Sequence, residues 1–183
     1  MDMTWIIIGA IAFVAIYILF IYNGLVSAKV KVSEAFSHID VQLKRRVDLI
    51  PNLIESVKGY AKHEKDVLEN VTKARTSLMQ AKNPAEKAES NNMLTDTLKS
   101  LFAVAEAYPN LRANENFLKL QDELSDTENK IAYARQFYNS TVMDFNTKIQ
   151  IFPNMLFANL LGFKPAEFFQ NSEGDKKPVK VSF

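Results

Sequence analysis

The chain of 183 residues contains no cysteine, which excludes disulfides, thiolate catalysis and cysteine-ligated zinc. Five glycines and six prolines are few for this length, so long helices are favoured over turn-rich sheets. The formal net charge is only +1, so no overall field attracts nucleic acid, which is not an expected partner. A chain of this length fits one domain plus an anchor.

Catalytic and metal-binding patterns are scarce as well. A di-iron site inside a helical bundle needs two Glu-x-x-His units, but neither His38 nor His63 has a glutamate three residues before it. Glu34 and His38 could share one helix face, where a solvated pair is a better interpretation than a ligand set. No Gly-x-Ser-x-Gly turn and no Gly-x-x-x-x-Gly-Lys phosphate loop occurs. We therefore expect a non-enzymatic protein without catalytic residues, cofactor or metal.

Charge is absent from an apolar run of 18 residues between Trp5 and Tyr22. As a helix this run reaches ~27 Å, close to the ~30 Å hydrocarbon thickness of a bilayer. Trp5 and Tyr22 fall where aromatic side chains prefer the two membrane interfaces. The sequence predicts a single transmembrane anchor over residues 1–28.

A cleaved signal peptide is the alternative, because Val26-Ser27-Ala28 resembles a small-residue cleavage site. Against it, no Lys or Arg precedes the apolar run, and the run is longer than the usual core of a signal peptide. The nearest cations, Lys29 and Lys31, follow the run. The positive-inside rule therefore places the N-terminus outside and the rest of the chain in the cytoplasm.

From Val32 onward, alternating steps of four and three residues select an almost wholly apolar seam that needs a partner helix. Pro51 lies within this seam and removes the hydrogen bond to the carbonyl of Val47, so we expect a bend there. A chain reversal at Pro51 is the alternative, but helix lengths favour a first helix over about 24–58 and a reversal within residues 59–66. The seam consists of Val32, Phe36, Ile39, Leu43, Arg46, Ile50, Leu53, Val57 and Tyr60.

Three further helices follow, with Asp66, Asn83 and Asn110 as candidate N-caps. The helices are predicted over about 67–82, 84–107 and 111–152. The last one carries an unbroken seven-residue repeat, Phe117, Leu124, Ile131, Tyr138, Phe145 and Phe152. At 1.5 Å per residue, four helices in alternating directions return the chain to about the level of the membrane.

The predicted fold is therefore all-α, with three parts. An N-terminal transmembrane helix (1–28) precedes an antiparallel up-and-down four-helix bundle of long, heptad-patterned helices (29–169). A C-terminal tail (170–183) follows, in which residues 178–183 alternate like a short strand.

Arg46 is the one charged residue on the first seam. A buried unpaired charge is very costly, so Arg46 must either extend outward along its stem or meet a carboxylate on another helix. Glu128 is the first candidate and Glu106 the second. Polar residues 127–129 interrupt the apolar face of the last helix and suggest a hydrogen-bonded layer. The residues expected to shape the bundle or contact partners are Arg46, Asp48, Pro51, Glu106 and Glu128.

Residues 155–169 crowd large apolar side chains after the last long helix. They either close the open end of the bundle or contact the bilayer. In the second case Phe157 and Phe163 are the expected lipid contacts, and Lys29 and Lys31 lie near enough to the anchor to meet headgroups.

A set of ordered motifs runs along the chain from Tyr22 to Phe169. The motifs include Tyr22-Asn-Gly-Leu-Val26, Ile39-Asp-Val-Gln-Leu-Lys-Arg-Arg-Val-Asp-Leu-Ile-Pro-Asn-Leu53, Ala103-Val-Ala-Glu-Ala-Tyr-Pro109, Thr127-Glu-Asn129, Tyr138-Asn139 and Phe152-Pro153. In these motifs the chain resembles the bacterial LemA family. The resemblance implies a membrane-anchored antiparallel four-helix bundle at the bacterial inner membrane, with no catalytic residues to carry over.

The leading functional hypothesis is a scaffold or adaptor for membrane-protein or envelope maintenance, with protein partners that the sequence does not identify. One alternative is a bilayer-shaping or lipid-sensing protein that uses residues 155–169. A second, less favoured alternative is a metal-binding or enzymatic bundle. A heptad seam can be satisfied within one chain or between chains, so homo-oligomerisation stays open.

Overall fold

The computed structural model describes residues 3–61 and 63–169, and every regular element within them is a helix. Six helices follow one another: α1 (Met3–Lys58), α2 (Lys65–Gln80), α3 (Pro84–Ala105), α4 (Pro109–Arg112), α5 (Glu115–Gln150) and α6 (Asn154–Ala158). The predicted tail 170–183, including its strand-like end, lies outside the described residues. The all-α fold class is confirmed.

Helix α1 joins two segments of opposite character without a break. From Met3 to Phe20 every residue is exposed except the half-buried Ile18, although the run is almost entirely apolar. From Ala35 to Val57 the same helix buries one stripe of apolar side chains at the predicted seam. Among the described residues, α1 is the one helix long and apolar enough to cross a membrane.

Pro51 lies inside α1, and the helix continues past it to Lys58. The chain therefore reverses after Gly59 rather than at Pro51. Because proline has no N–H, the carbonyl of Val47 loses its partner within the helix. Arg75 of α2 replaces that partner, since its Nε donates to the Val47 carbonyl oxygen at 3.0 Å. The bend expected at Pro51 stays a prediction, but the carbonyl that the proline frees is bonded to the neighbouring helix.

The N-cap predicted for α3 is confirmed. The side-chain oxygen of Asn83 accepts a hydrogen bond from the Glu86 N–H at 2.8 Å. In return, the Glu86 carboxylate accepts from the Lys82 N–H, also at 2.8 Å. Two donors at the helix start are thus satisfied by one short motif.

The other two cap predictions are wrong. Helix α2 begins at Lys65, so Asp66 lies inside its first turn rather than before it. Asn110 lies within the short helix α4, which the sequence pattern merged with the following helix. Asn114 caps α5 instead, accepting from the N–H groups of Asn116 at 3.0 Å and Phe117 at 3.1 Å.

The helices pack in alternating directions. Gly24 lies beside Lys148 and Arg46 beside Glu128, so α1 and α5 run antiparallel over most of their lengths. A hydroxyl contact of 3.0 Å between Ser77 and Ser90 ties α2 antiparallel to α3. The main core between these helices includes the fully buried Ile39, Ile50, Leu53, Val71, Leu94, Leu101, Ile131 and Val142.

A second, smaller apolar cluster lies where the exposed part of α1 ends. Its buried members are Ile21, Leu25, Phe145, Ile149, Ala158 and Phe163. Phe163 packs edge-on against the Tyr22 ring, with centroids 6.0 Å apart, and is only 6% exposed. The prediction of Phe163 as a lipid contact is therefore wrong, because its ring faces inward. Phe157 is half-buried against the same cluster.

Phe152, the last member of the seven-residue repeat, also departs from its prediction. It is 76% exposed because α5 ends at Gln150, two residues before the repeat would place it on the core face.

The role of Arg75 is testable by a double-mutant cycle with Pro51. Arg75→Met removes the donor to the Val47 carbonyl and is expected to lower the free energy of unfolding by about 1–3 kcal/mol. In a Pro51→Ala background the residue at 51 regains its N–H, so the same change should cost clearly less. Urea unfolding in detergent measures both costs.

Lys73→Met is the matched control, because Lys73 is exposed on the same helix and pairs with Glu69 one turn away. We expect less than about 0.5 kcal/mol for it. Equal costs of Arg75→Met with and without Pro51 would show that the proline does not create the need for this bond.

Candidate functional site

Arg46 is a charged side chain buried in the core of the protein, 3% exposed. Its Nη1 lies 2.6 Å from the Glu128 carboxylate of α5. The same nitrogen donates to the Asn91 side-chain oxygen at 2.7 Å and lies 3.0 Å from the Thr95 hydroxyl, both on α3. The ion pair that the seam position predicts is present and joins α1 to α5. The hydrogen bonds to Asn91 and Thr95 add α3 to the same cluster.

The two charges of this cluster differ in their access to water. Burial lowers the pKa of the Arg46 guanidinium from its ordinary value, and the Glu128 carboxylate opposes that shift. A guanidinium so basic remains charged throughout the physiological range. The Glu128 side chain is 42% exposed, so water reaches the carboxylate but scarcely reaches its partner. The cluster holds a permanent cation that depends on neighbouring side chains instead of solvent.

The other residues predicted to shape the body lie elsewhere. Glu106, the second candidate partner, is exposed at the C-terminal cap of α3. It is 15 residues beyond Asn91, or ~22 Å along the helix, and is too far away to pair with Arg46. Asp48 is exposed and forms a pair with Lys44 at 3.2 Å on its own helix. This pair lies within α1, and the expectation that Asp48 sets the shape of the body stays a prediction.

Residues 127–129 form the expected polar layer only in part. Thr127 is fully buried, but its hydroxyl donates to the Glu123 carbonyl of its own helix at 2.6 Å. Glu128 reaches across to Arg46, and Asn129 is exposed. The layer across helices is completed by Asn91 and Thr95, two polar residues of α3 that the sequence pattern does not single out.

A groove lies along the other side of the α1–α5 pair. We call it the outer groove, formed by Lys31, Glu34 and His38 of α1 with Phe137, Thr141 and Asp144 of α5. It encloses a cavity of about 500 Å³. The His38 and Phe137 rings pack in a T-shaped arrangement, with centroids 6.5 Å apart. The contact register of α1 and α5 places Val41 level with Tyr133, and both are more than half exposed.

The chemistry available in the outer groove is that of recognition. Lys31 and Glu34 on α1 and Asp144 on α5 place charges of both signs around an aromatic floor. In residues 3–61 and 63–169, no group of three or more potential ligands could hold a metal ion. Lys29, on the neighbouring turn, is exposed, as is Lys31. The headgroup contacts expected of these two lysines stay a prediction.

An extended segment over residues 163–169, which was not predicted from the sequence, packs along α5. Asn146 makes two hydrogen bonds with the backbone of Ala166, at 2.8 and 3.0 Å. Asn139, seven residues earlier, makes the same pair with Phe169 at 2.9 and 3.0 Å. Tyr138 adds a bond from its hydroxyl to the Glu167 carbonyl at 2.8 Å, and burial raises its pKa. The recurrence of asparagine at heptad spacing was the available signal.

Removal of one member of the buried ion pair is expected to have unequal effects on stability. Glu128→Leu leaves Arg46 charged and cut off from water, so we expect a loss of about 3 kcal/mol in the free energy of unfolding. Arg46→Met leaves a carboxylate that water can reach, and it should cost less. The double variant Arg46→Met/Glu128→Leu should recover most of the loss. Urea unfolding of the detergent-solubilised chain measures all three.

Arg45→Met provides the control from the adjacent arginine. Arg45 lies 3.6 Å from Glu123 and 3.7 Å from Asp126, and all three side chains are near half exposed. Its removal should cost less than about 1 kcal/mol. The interpretation fails if the double variant is as unstable as Glu128→Leu alone.

Comparisons with known proteins identify a family. The LemA family model matches residues 35–183. Protein LemA of Metamycoplasma hominis is 27% identical, over 87% of this chain and 74% of that protein. Magnetosome protein MamQ 2 of Paramagnetospirillum magneticum is 24% identical, over 94% of this chain and 73% of its own length. Magnetosome protein MamQ of Magnetospirillum gryphiswaldense is 21% identical over the same shares. The family model covers most of the chain, and the protein belongs to the LemA family.

Proposed function

We propose that this protein is a single-pass membrane scaffold or adaptor, without enzymatic activity, that serves membrane-protein or envelope maintenance at the bacterial inner membrane. The observation that carries the proposal is the continuity of α1, which passes from an exposed apolar segment into a packed body without a linker. At 1.5 Å per residue, α1 is ~84 Å long. A surface on such a helix lies at a defined distance along the helix from the apolar segment.

The body of this scaffold is proposed to be an antiparallel four-helix bundle formed by α1, α2, α3 and α5. The alternating directions of α1 with α5 and of α2 with α3 support this topology. Lys87 of α3 pairs with Asp40 of α1 and lies over the Phe36 ring, 5.0 Å from its centroid. Together with the contact between Arg46 and Asn91, these contacts fasten the α1–α5 pair to the α2–α3 hairpin.

A junction between anchor and body supports a fixed geometry. The Lys148 ammonium of α5 donates to the Gly24 carbonyl of α1 at 2.8 Å, just beyond the apolar run. The last turn of α5 is therefore fastened to α1 at the expected edge of the membrane.

The outer groove is the surface proposed for a protein partner. Exposed aromatic side chains such as Tyr133 and Phe137 are common at the centres of protein interfaces. A groove between two antiparallel helices, with an apolar floor and charges of both signs at its margins, suits an amphipathic helix. Relatives named as magnetosome proteins support a role connected with a cellular structure. We therefore propose an amphipathic helix of a membrane or envelope protein as the occupant.

The proposed topology can be tested with single cysteines, because the native chain has none. Thr4→Cys, at the exposed start of α1, should react with a membrane-impermeant maleimide in intact spheroplasts. Ser100→Cys, exposed on α3, should react only after the membrane is opened. Labelling followed by gel electrophoresis gives the answer. The reverse pattern would place the body outside and overturn the proposed location.

The outer groove can be tested by photo-crosslinking in cells. A photoreactive residue at Val41 or Thr141 should give discrete adducts, because both positions border the proposed docking surface. The same residue at Thr76, exposed on α2, should give none. Adducts are excised and identified by mass spectrometry. We expect one or a few membrane or envelope proteins rather than a broad set.

Phe137→Asp provides the specificity control in the same cells. Phe137 is 57% exposed, so its replacement should leave the fold intact while placing a charge on the groove floor. The Val41 and Thr141 adducts should then disappear. Adducts that persist in Phe137→Asp, or that form equally from Thr76, would contradict a docking role for the outer groove.

A further inference from the structure

The chain leaves a dense group of apolar side chains uncovered where α5 turns into α6. We call residues 151–160 the α5–α6 corner. Phe152 is 76% exposed and Leu160 is 83% exposed, the highest value for a large apolar side chain in the described part of the chain. Exposed large apolar side chains of the corner are Ile151, Phe152, Met155, Leu156 and Leu160. A patch this dense on a folded surface calls for a partner.

The position of the corner along α1 identifies that partner. Lys148, just before the corner, bonds to Gly24, and Asn154 of α6 lines a shared cavity with Tyr17 and Phe20. The corner therefore lies level with the last two turns of the exposed apolar run, ~10 Å of helix between Tyr17 and Gly24. Its apolar surface is continuous with the surface that α1 would present to lipid.

Several polar groups of the corner are hydrogen-bonded within the chain. The Asn154 side chain donates to the Lys148 carbonyl at 2.9 Å, which satisfies an acceptor at the end of α5. The amides of Met155 and Phe163 donate to the carbonyls of Ile151 and Ala158, both at 2.9 Å. Internal hydrogen bonding of this kind is what a backbone needs near hydrocarbon.

The opposite end of the body has no comparable surface. Among the described residues 59–61, 63–64 and 106–114, which connect the helices there, Tyr60 is the one large apolar side chain that is exposed, at 42%. The uncovered patch is thus confined to the end of the body that faces the anchor. Lys29 and Lys31, exposed on α1 one to two turns beyond Gly24, place cations where anionic headgroups would lie.

We propose that the α5–α6 corner inserts its apolar side chains into the interfacial region of the bilayer leaflet from which α1 emerges. This inference rests on the proposed membrane anchor and adds a second contact with the same lipid surface. A helix held by one span can rotate about its axis and tilt. A second contact beside it fixes both motions, so that the outer groove keeps a constant direction relative to the bilayer.

Tryptophan fluorescence in brominated lipid tests the proposal on the full chain. The protein is reconstituted into phosphatidylcholine and phosphatidylglycerol vesicles whose acyl chains carry bromine near the headgroup. The chain has one tryptophan, Trp5, so the unmodified protein reports on the anchor alone. Phe152→Trp or Leu160→Trp, each in a Trp5→Phe background, reports on the corner. We expect both to lose a fraction of their emission comparable to that lost by Trp5 and to be shielded from aqueous acrylamide.

Leu118→Trp in the same background is the matched control. Leu118 is 45% exposed near the far end of α5, 34 residues before Phe152 and ~50 Å away along the helix. It should keep its emission in brominated lipid and be quenched by acrylamide. Near-wild-type circular dichroism of each variant establishes that the substitution leaves the fold unchanged.

The outcomes separate the two proposals. Quenching of Trp5 by bromine without quenching at either corner position overturns the corner contact and leaves the anchor in place. Absence of quenching at Trp5 overturns the anchor, and the corner proposal with it. Corner tryptophans shielded from acrylamide yet untouched by bromolipid would assign the patch to another protein surface, such as a second copy, and would also overturn the lipid contact.

Discussion

One unbroken helix, α1, must satisfy two environments with a single ladder of backbone hydrogen bonds. Its first part leaves apolar side chains exposed on all sides, and its second part buries one stripe against α2, α3 and α5. A break between these parts would free the body from the anchor. Pro51 is the point at which the ladder loses a donor, and Arg75 supplies a substitute from α2. Pro51 weakens α1 because it removes one backbone donor. The contact with α2 replaces that donor, and the helix stays continuous.

Two helices with heptad-patterned apolar faces can pack against each other in more than one register, and the buried ion pair favours one of them. The apolar residues of α5 repeat every seven positions, so a shift of one heptad against α1 would present nearly the same apolar face. Such a shift moves a residue by ~10.5 Å along the axis and would separate Arg46 from Glu128. The guanidinium would then be buried without a counter-charge, which is strongly unfavourable. The polar cluster therefore selects one register among apolar alternatives that are otherwise similar.

Periodicity predicted the long elements of this fold well because burial of an apolar stripe is a property of the helix itself. The seam of α1, the partner of Arg46 and the return of the chain to the anchor all follow from spacing and length. The wrong predictions concern the residues at which helices begin and end, which local geometry determines. Asn110 and Asn114 are equally good caps by residue type, and only the short helix α4 determines which one begins α5. The exposure of Phe152 likewise depends on the residue at which α5 ends.

Parts of the candidate site lie beyond sequence reasoning for a different reason. Asn91 and Thr95 become partners of Arg46 only because α3 crosses α1 at that height, and no pattern within α3 encodes the crossing. The same holds for Asn139 and Asn146, whose partners are backbone groups of an extended segment without periodicity. When a side chain binds backbone groups from another part of the chain, its partner can be any residue type. The sequence therefore carries no sign of the pairing.

The register set by Arg46 and Glu128 also determines where the α5–α6 corner lies relative to the anchor. Gly24 and Lys148 meet 22 and 20 residues away from the ion pair along α1 and α5, so a rigid helix pair transmits the register directly to the corner. A slip of one heptad would move the corner by ~10.5 Å, about a third of the ~30 Å hydrocarbon thickness. An interaction buried in the middle of the body therefore decides whether the corner reaches the interface, the hydrocarbon or only water. With the proposed anchor and corner contact, the buried charge cluster would be the internal determinant of how the body is placed on the membrane.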